Sequence, residues 1–329
     1  MDHSSALSHG SGPNNDYILK MNIDQAIEKV NDGIKNVLGV FDPVLPAGKK
    51  TRAGLFLAFS GKDDARSIDI AASIELLHEA TLIHDDVLDH SELRRGRPSF
   101  YRQKGVSASI LYGDYIFARA FSLISGLGDV AVIREITTAL SEVLEGEMME
   151  KERSGQISLT RQEYFEIIMK KTGKLFAVTA KLGAMERGED KEFAEKAYLF
   201  GMTSGTAYQI TDDLSDYFHD SLGKDRFSDI REGTVTLPLI YLVERCSGGE
   251  RAFITSVLGN AAADRDDLEK ITELMDLYDI RSEVARGAEE FLVQAGRSMD
   301  NADGLGILDS CGILPKIRNR MEDICLKQK

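Results

Sequence analysis

The sequence predicts an all-α protein, a single-domain helical bundle. Three observations carry this expectation. Apolar residues recur every three or four positions from about residue 22 onward. No run alternates with the period of two that a half-buried strand needs. Only six prolines occur, and several sit at the edges of periodic segments: Pro43, Pro46, Pro98 and Pro238. Residues 1–20 read as a flexible polar tail, and residues 21–329 as the helical domain.

The elements follow in order. Ala-Gly-Lys-Lys-Thr-Arg at 47–52 places Lys49 and Arg52 three apart, on one face if helical. Ile70, Ile74, Leu77 and Thr81 step by three or four into Asp85, which makes one stripe ending at an acid cluster. Further helical patterns cover about 103–126, interrupted at Gly113-Asp114, then 130–150, 161–187 and 191–217. Gly201 and Gly205, four apart, allow another helix to approach closely. Beyond about residue 247 no motif appears, and helices closing the bundle are expected.

Composition narrows the function. Apolar residues make up 43% and charged residues 29%, which suits a soluble globular chain. A net charge of −14 argues against nucleic acid as a partner. No apolar run approaches a transmembrane length, and MDHSSALSHGSGPNND lacks the basic and apolar regions of a signal peptide. Cys246, Cys311 and Cys325 lack metal-ligand spacing, so free thiols in a reducing cytoplasm are the expectation.

Asp-Asp-x-x-Asp occurs twice inside apolar helical runs, as Asp85, Asp86 and Asp89 and as Asp212, Asp213 and Asp216. Residues i and i+4 share a helix face, so each motif stacks like charges that destabilise a bare helix by about 0.2–0.5 kcal/mol. A cation between the clusters would relieve this. Oxygen-only ligands suit a hard ion, and Mg²⁺ typically takes one or two carboxylates plus substrate phosphates. Basic groups accompany the acids: Lys49 and Arg52, Arg94 and Arg95, Lys171, and Lys224. Lysine and arginine both suit phosphate. Singly, each motif has an ordinary reading as a solvated face, a surface turn or a packed side chain, and His78 and His84 read equally well as packed or capping histidines. Their joint order is what points to diphosphate chemistry.

In that order the chain resembles the trans-isoprenyl diphosphate synthase (polyprenyl synthetase) family of medium- and long-chain type. The resemblance covers roughly residues 40–245. It rests on AGKKTRA (47–53), DDVLDHSELRRGRPS (85–99), a Gly113-Asp114 turn, the Lys171-Thr172 pair, YQITDDLSD (208–216) and GKDRFSDIREGTVTLP (223–238). It implies an isoprenoid-synthase bundle around a central cavity, usually a homodimer, with the two aspartate motifs facing each other. It implies three Mg²⁺ held mainly by Asp85, Asp89 and Asp212, with Asp86, Asp213 and Asp216 in support. Arg94, Lys171, Gln209 and Lys224 would contact the allylic diphosphate, and Lys49, Arg52, His78 and Arg95 isopentenyl diphosphate. Lys171, Thr172 and Gln209 would steady the allylic cation, and the departing diphosphate would take the proton.

Two positions depart from the family pattern. Ala53 replaces a proline, and Thr234 follows Gly233 where a lysine is common. Thr234 either weakens allylic binding or is compensated by Arg226 or Arg231. Ala80 and Thr81 lie about one turn below Asp85, where small residues resemble the longer-chain enzymes. The expected product is therefore longer than twenty carbons, with a floor on the helices of Phe117, Phe121, Leu144 and Met148. The alternatives are a short-chain farnesyl or geranylgeranyl diphosphate synthase, a class I terpene cyclase and a non-catalytic subunit.

Overall fold

The computed structural model describes residues 23–39, 50–218, 226–299 and 302–326. Lys49, Lys224 and the N-terminal tail lie outside the described residues, as does the Cys325 side chain. Helices dominate: α1 (Ile23–Leu38), α2 (Thr51–Ser60), α3 (Ala65–Leu88), α4 (Phe100–Lys104), α5 (Val106–Gly126) and α6 (Val130–Arg153) make the first half. There follow α7 (Arg161–Ile168), α8 (Lys174–Arg187), α9 (Lys191–Phe218), α10 (Ser228–Glu232), α11 (Leu237–Arg245), α12 (Gly248–Val257), α13 (Arg265–Leu277), α14 (Ile280–Ser298), α15 (Ala302–Ser310) and α16 (Ile313–Leu326). The all-α expectation holds.

Two long helices carry the acid motifs. Asp64 caps α3 by accepting from the Ser67 N–H, and the expected stripe is buried at Ile70, Ile74 and Leu77. The stripe belongs to an apolar cluster with α1, α2 and α5. Helix α9 packs on α8 and α14. Gly201 makes the α8 crossing possible: a Cβ there would stand 2.6 Å from Ala177 Cα, and one at Gly205 2.9 Å from Phe176 Cβ. Two further clusters hold the α8–α9–α16 contact and the C-terminal half.

Local departures from the sequence pattern lie beside the acids. Gly113-Asp114 is not a turn: α5 runs through it unbroken, and the missing Cβ makes room for the His84 ring. The 161–187 helix is interrupted by a π turn at Met169–Gly173, which carries Lys171 and Thr172. A two-stranded hairpin, β1 (Leu93–Arg94) with β2 (Arg97–Pro98), follows α3. Its turn residues Arg95 and Gly96 both have positive φ, 52° and 76°, as a tight hairpin turn with matched twist requires.

The C-terminal helix closes one side of the bundle. Ile313, Leu314, Ile317 and Ile324 are buried. Arg281 ties the helix down by donating to the Ile324 carbonyl at 2.7 Å while its other nitrogens pair with Asp276. The opposite face of α16 is left to the cavity.

Candidate active site

A cavity of about 1120 Å³ opens between the ends of α3 and α9. Asp85 and Asp89 line it from one helix, Asp212, Asp213 and Asp216 from the other, and the π turn, α6, α2 and α16 complete the wall. The two acid motifs, more than a hundred residues apart in sequence, thus share one space.

The six aspartates have different roles. Asp86 is 2% exposed and is held by Arg94, whose Nε donates to Oδ1 at 2.9 Å. The pair ties the hairpin to α3; Arg94 itself lines the cavity, whereas Asp86 is not part of the lining. Asp213 is 5% exposed, accepting from Tyr164 Oη at 2.6 Å and Gln209 Nε2 at 2.7 Å. Gln209 in turn accepts from Thr172 Oγ1 at 2.7 Å, so π turn, α9 and α7 are joined by one hydrogen-bonded chain. Asp216 accepts from the Ser228 hydroxyl at 2.6 Å and the Asp229 N–H at 3.1 Å, anchoring α10. Asp85, Asp89 and Asp212 all line the cavity.

Charges around these three are tightly arranged. Burial, and then repulsion from Glu147, raise the Asp85 carboxyl to about 8. Asp89 is paired with Lys151, and Asp212 lies 2.8 Å from Arg320. Lys171 donates to Glu150 at 2.6 Å and stands 2.9 Å from Glu147. Burial raises the Asp213 carboxyl to about 7 even though Tyr164 and Gln209 hydrogen bonds pull it down.

A basic shelf lines the same cavity: Lys50 and Arg52 at the start of α2, His78 on α3 and Arg95 in the hairpin turn. Arg52 has its Nε buried without a hydrogen-bond partner among the described residues, and its guanidinium carbon sits 4.6 Å from the Phe176 ring centre. Burial lowers its pKa, which marks a cation stripped of water. Arg95 donates to Glu79 at 3.0 Å, and Lys50 Nζ lies 3.8 Å from the same oxygen. His78 is held well below the ordinary histidine range by burial and then by Arg52, Arg95 and Lys50, so it is neutral. Buried cations and a neutral imidazole donor make a ready anion site.

The chain-length positions separate. Thr81 lines the cavity, together with Leu82. Ala80 is fully buried in the core cluster with Leu76, Leu77 and Ile116 and is not part of the lining. Leu144 lines the cavity, while Met148 lies 58% exposed on α6 and Phe117 and Phe121 of α5 pack against the core cluster that holds Ala80.

Sequence reasoning missed several lining residues. Glu147 and Glu150 sit in a helical run without a recognisable motif. Lys316, Asn319 and Arg320 come from α16, far beyond the last motif, but their spacing of three and four along a buried-faced helix was a usable signal. Tyr164, the partner of Asp213, had no signal in one sequence.

Fold and site together define an all-α bundle whose one cavity gathers two carboxylate walls and a set of buried cations. The polyprenyl synthetase family profile matches residues 35–275, and the chain belongs to that family of prenyltransferases. It is 30% identical over 284 residues to the geranylgeranyl diphosphate synthase of Saccharolobus solfataricus, covering 80% of this chain and 86% of that one. It is 33% identical over 259 residues to the octaprenyl diphosphate synthase of Escherichia coli, covering 76% and 79%. The crystal structure of a polyprenyl synthase from Caulobacter crescentus, complexed with calcium and isoprenyl diphosphate, superposes with a TM-score of 0.82 at 28% identity, covering 91% of this chain and 97% of that one.

Proposed function

We propose that this prenyltransferase condenses isopentenyl diphosphate head-to-tail with an allylic diphosphate, in a Mg²⁺-dependent reaction giving an all-trans product longer than twenty carbons. The observation that carries the reading is the single cavity lined by Asp85, Asp89, Asp212, Lys171, Arg52 and His78. The donor set suits Mg²⁺: it is all oxygen. No three acidic, histidine or cysteine groups converge into a complete ligand set among the described residues. That fits an ion which completes its shell with phosphate oxygens and water, and the reading includes three such ions. Bound ions would supply charge neutralisation at the leaving diphosphate.

The residues divide the remaining work. Lys171 presents an ammonium at the acid-lined mouth, where it can share the negative charge that grows on the leaving group. Arg52, His78 and Arg95 hold the second diphosphate on the basic shelf, with Lys50 of the described residues beside them. The Thr172–Gln209 pair presents dipoles toward the space between, where an allylic cation needs stabilising and water must be kept out. Arg226 and Arg231 line the cavity beside Thr234, which supports compensation for the missing lysine.

The reading extends to a homodimer in the cytoplasm. Leu111 at 69%, Val130 at 65% and Met148 at 58% exposure leave apolar surface along α5 and α6. No described helix is long and apolar enough to cross a membrane. Incubating the protein with Mg²⁺, farnesyl diphosphate and labelled isopentenyl diphosphate tests the function. A ladder passing twenty carbons is expected. Arrest at fifteen or twenty carbons marks a short-chain enzyme, a cyclic hydrocarbon a terpene cyclase, and absence of turnover a non-catalytic subunit.

A further inference from the structure

Glu147 of α6 is only 8% exposed, and its two carboxylate oxygens differ. Oε2 lies 2.9 Å from Lys171 Nζ. Oε1 is buried and has no hydrogen-bond partner among the described residues. The backbone fixes this position. At Gly146, α6 comes so close to the π turn that a Cβ would stand 2.6 Å from the Lys171 backbone nitrogen. Glu150, one turn further on, takes the same ammonium at 2.6 Å, so Lys171 is already shared by two acids. Asp85 and Asp89 line the same cavity, and among charged groups Glu147 acts on Asp85 more strongly than Lys171 or Asp89 does. All of these side chains line the one cavity.

A desolvated carboxylate oxygen beside a second carboxylate is unfavourable unless a cation or donor comes between them. Lys171 serves Oε2, which leaves Oε1 without that relief. We propose that Glu147 belongs to the metal-holding set: its Oε1 accepts a hydrogen bond from a water carried by the ion that Asp85 binds. The inference rests on the metal reading of Asp85 given above. Mg²⁺ keeps several of its waters when bound, and carboxylates that hold such waters orient the ion without touching it. The competing role is a counter-charge for Lys171 alone, which Glu150 shares.

Mn²⁺ titrated into the full chain, with free aquo-Mn²⁺ counted by electron paramagnetic resonance, separates these roles. Glu147→Gln keeps the shape and removes the charge. It is expected to weaken the apparent Mn²⁺ Kd about tenfold, the usual loss for a partner outside the ligand shell. Asp85→Asn should lose more, and Glu150→Gln clearly less than Glu147→Gln. Wild-type Mn²⁺ affinity in Glu147→Gln, with binding lost in Asp85→Asn, overturns the role of Glu147 and leaves the metal reading standing. Equal weakening in Glu147→Gln and Glu150→Gln overturns it too, because it reports charge in general. Undiminished binding in Asp85→Asn removes both. If Glu147→Gln does not fold, Glu147→Asp, which withdraws the carboxylate by one methylene, carries the same comparison.

Discussion

Arg320 of α16 lies 2.8 Å from Asp212 of α9, with its guanidinium carbon 5.3 Å from the Tyr208 ring centre. The C-terminal helix therefore delivers a cation to the second carboxylate wall, beside the shelf that holds Arg52. Arg320→Leu is expected to lower kcat/KM about tenfold or more, since a planar donor at the mouth of a diphosphate site is hard to replace. Steady-state kinetics with each substrate varied in turn is the check. Unchanged constants would reduce Arg320 to a resting counter-charge for Asp212.

The pH response follows from Asp85 and Asp213. Folding raises these carboxyls to about 8 and about 7. In the unfolded chain they titrate near the ordinary value of about 4. Between those limits the native form holds protons that the unfolded chain has released, so stability falls as pH rises through the window. In EDTA the melting temperature should fall from pH 5 to pH 8.5. Asp85→Asn should raise it at pH 8.5 by about 3 °C or more. Ion binding needs the ionised carboxylate, so saturating Mg²⁺ should flatten the profile and release protons, visible by calorimetry in buffers of different ionisation heat. An Asp85→Asn profile parallel to wild type would contradict this.

Thr81 and Ala80 make opposite predictions. Thr81→Phe places a ring in the cavity one turn below Asp85 and should shorten the product to twenty carbons or fewer, read by chromatography of the hydrolysed alcohols. Ala80→Tyr instead forces volume into a closed core and should cost about 1–3 kcal/mol of stability, read by urea unfolding. A Thr81→Phe ladder identical to wild type would place the tail elsewhere.

Gly201→Ala tests the helix crossing that aims the second motif. The added Cβ meets backbone atoms of Phe176 and Ala177, which cannot turn aside as a side chain can. A loss of about 2–3 kcal/mol is expected, with little change in helix content by circular dichroism.

The fold class, the two acid motifs and most of the basic residues were legible in the sequence because each is a local pattern on one helix. What was not legible depends on tertiary placement. Asp213 and Asp216 look equivalent to Asp212 by spacing, but Tyr164 and the N-terminus of α10 claim them. The Gly113-Asp114 pair reads as a turn because glycine usually breaks a pattern. In the bundle it is a gap in α5 that a histidine of α3 fills. The π turn at Lys171 has no signature in single-sequence periodicity. Arg320 and Lys316 required knowing where α16 ends up. Ala80 shares a small side chain with Thr81, and only the packing shows which of them meets the cavity.

The central claim is that both carboxylate walls grip divalent ions that in turn grip diphosphate. Anomalous scattering from a crystal grown with Mn²⁺ and an unreactive allylic thiodiphosphate tests it most directly. The account predicts Mn²⁺ about 2.1 Å from carboxylate oxygens of Asp85 and Asp89 on one wall and of Asp212 on the other, with the diphosphate between them. A diphosphate seated on the basic side chains with no Mn²⁺ at either wall, or Mn²⁺ confined to one, would contradict it.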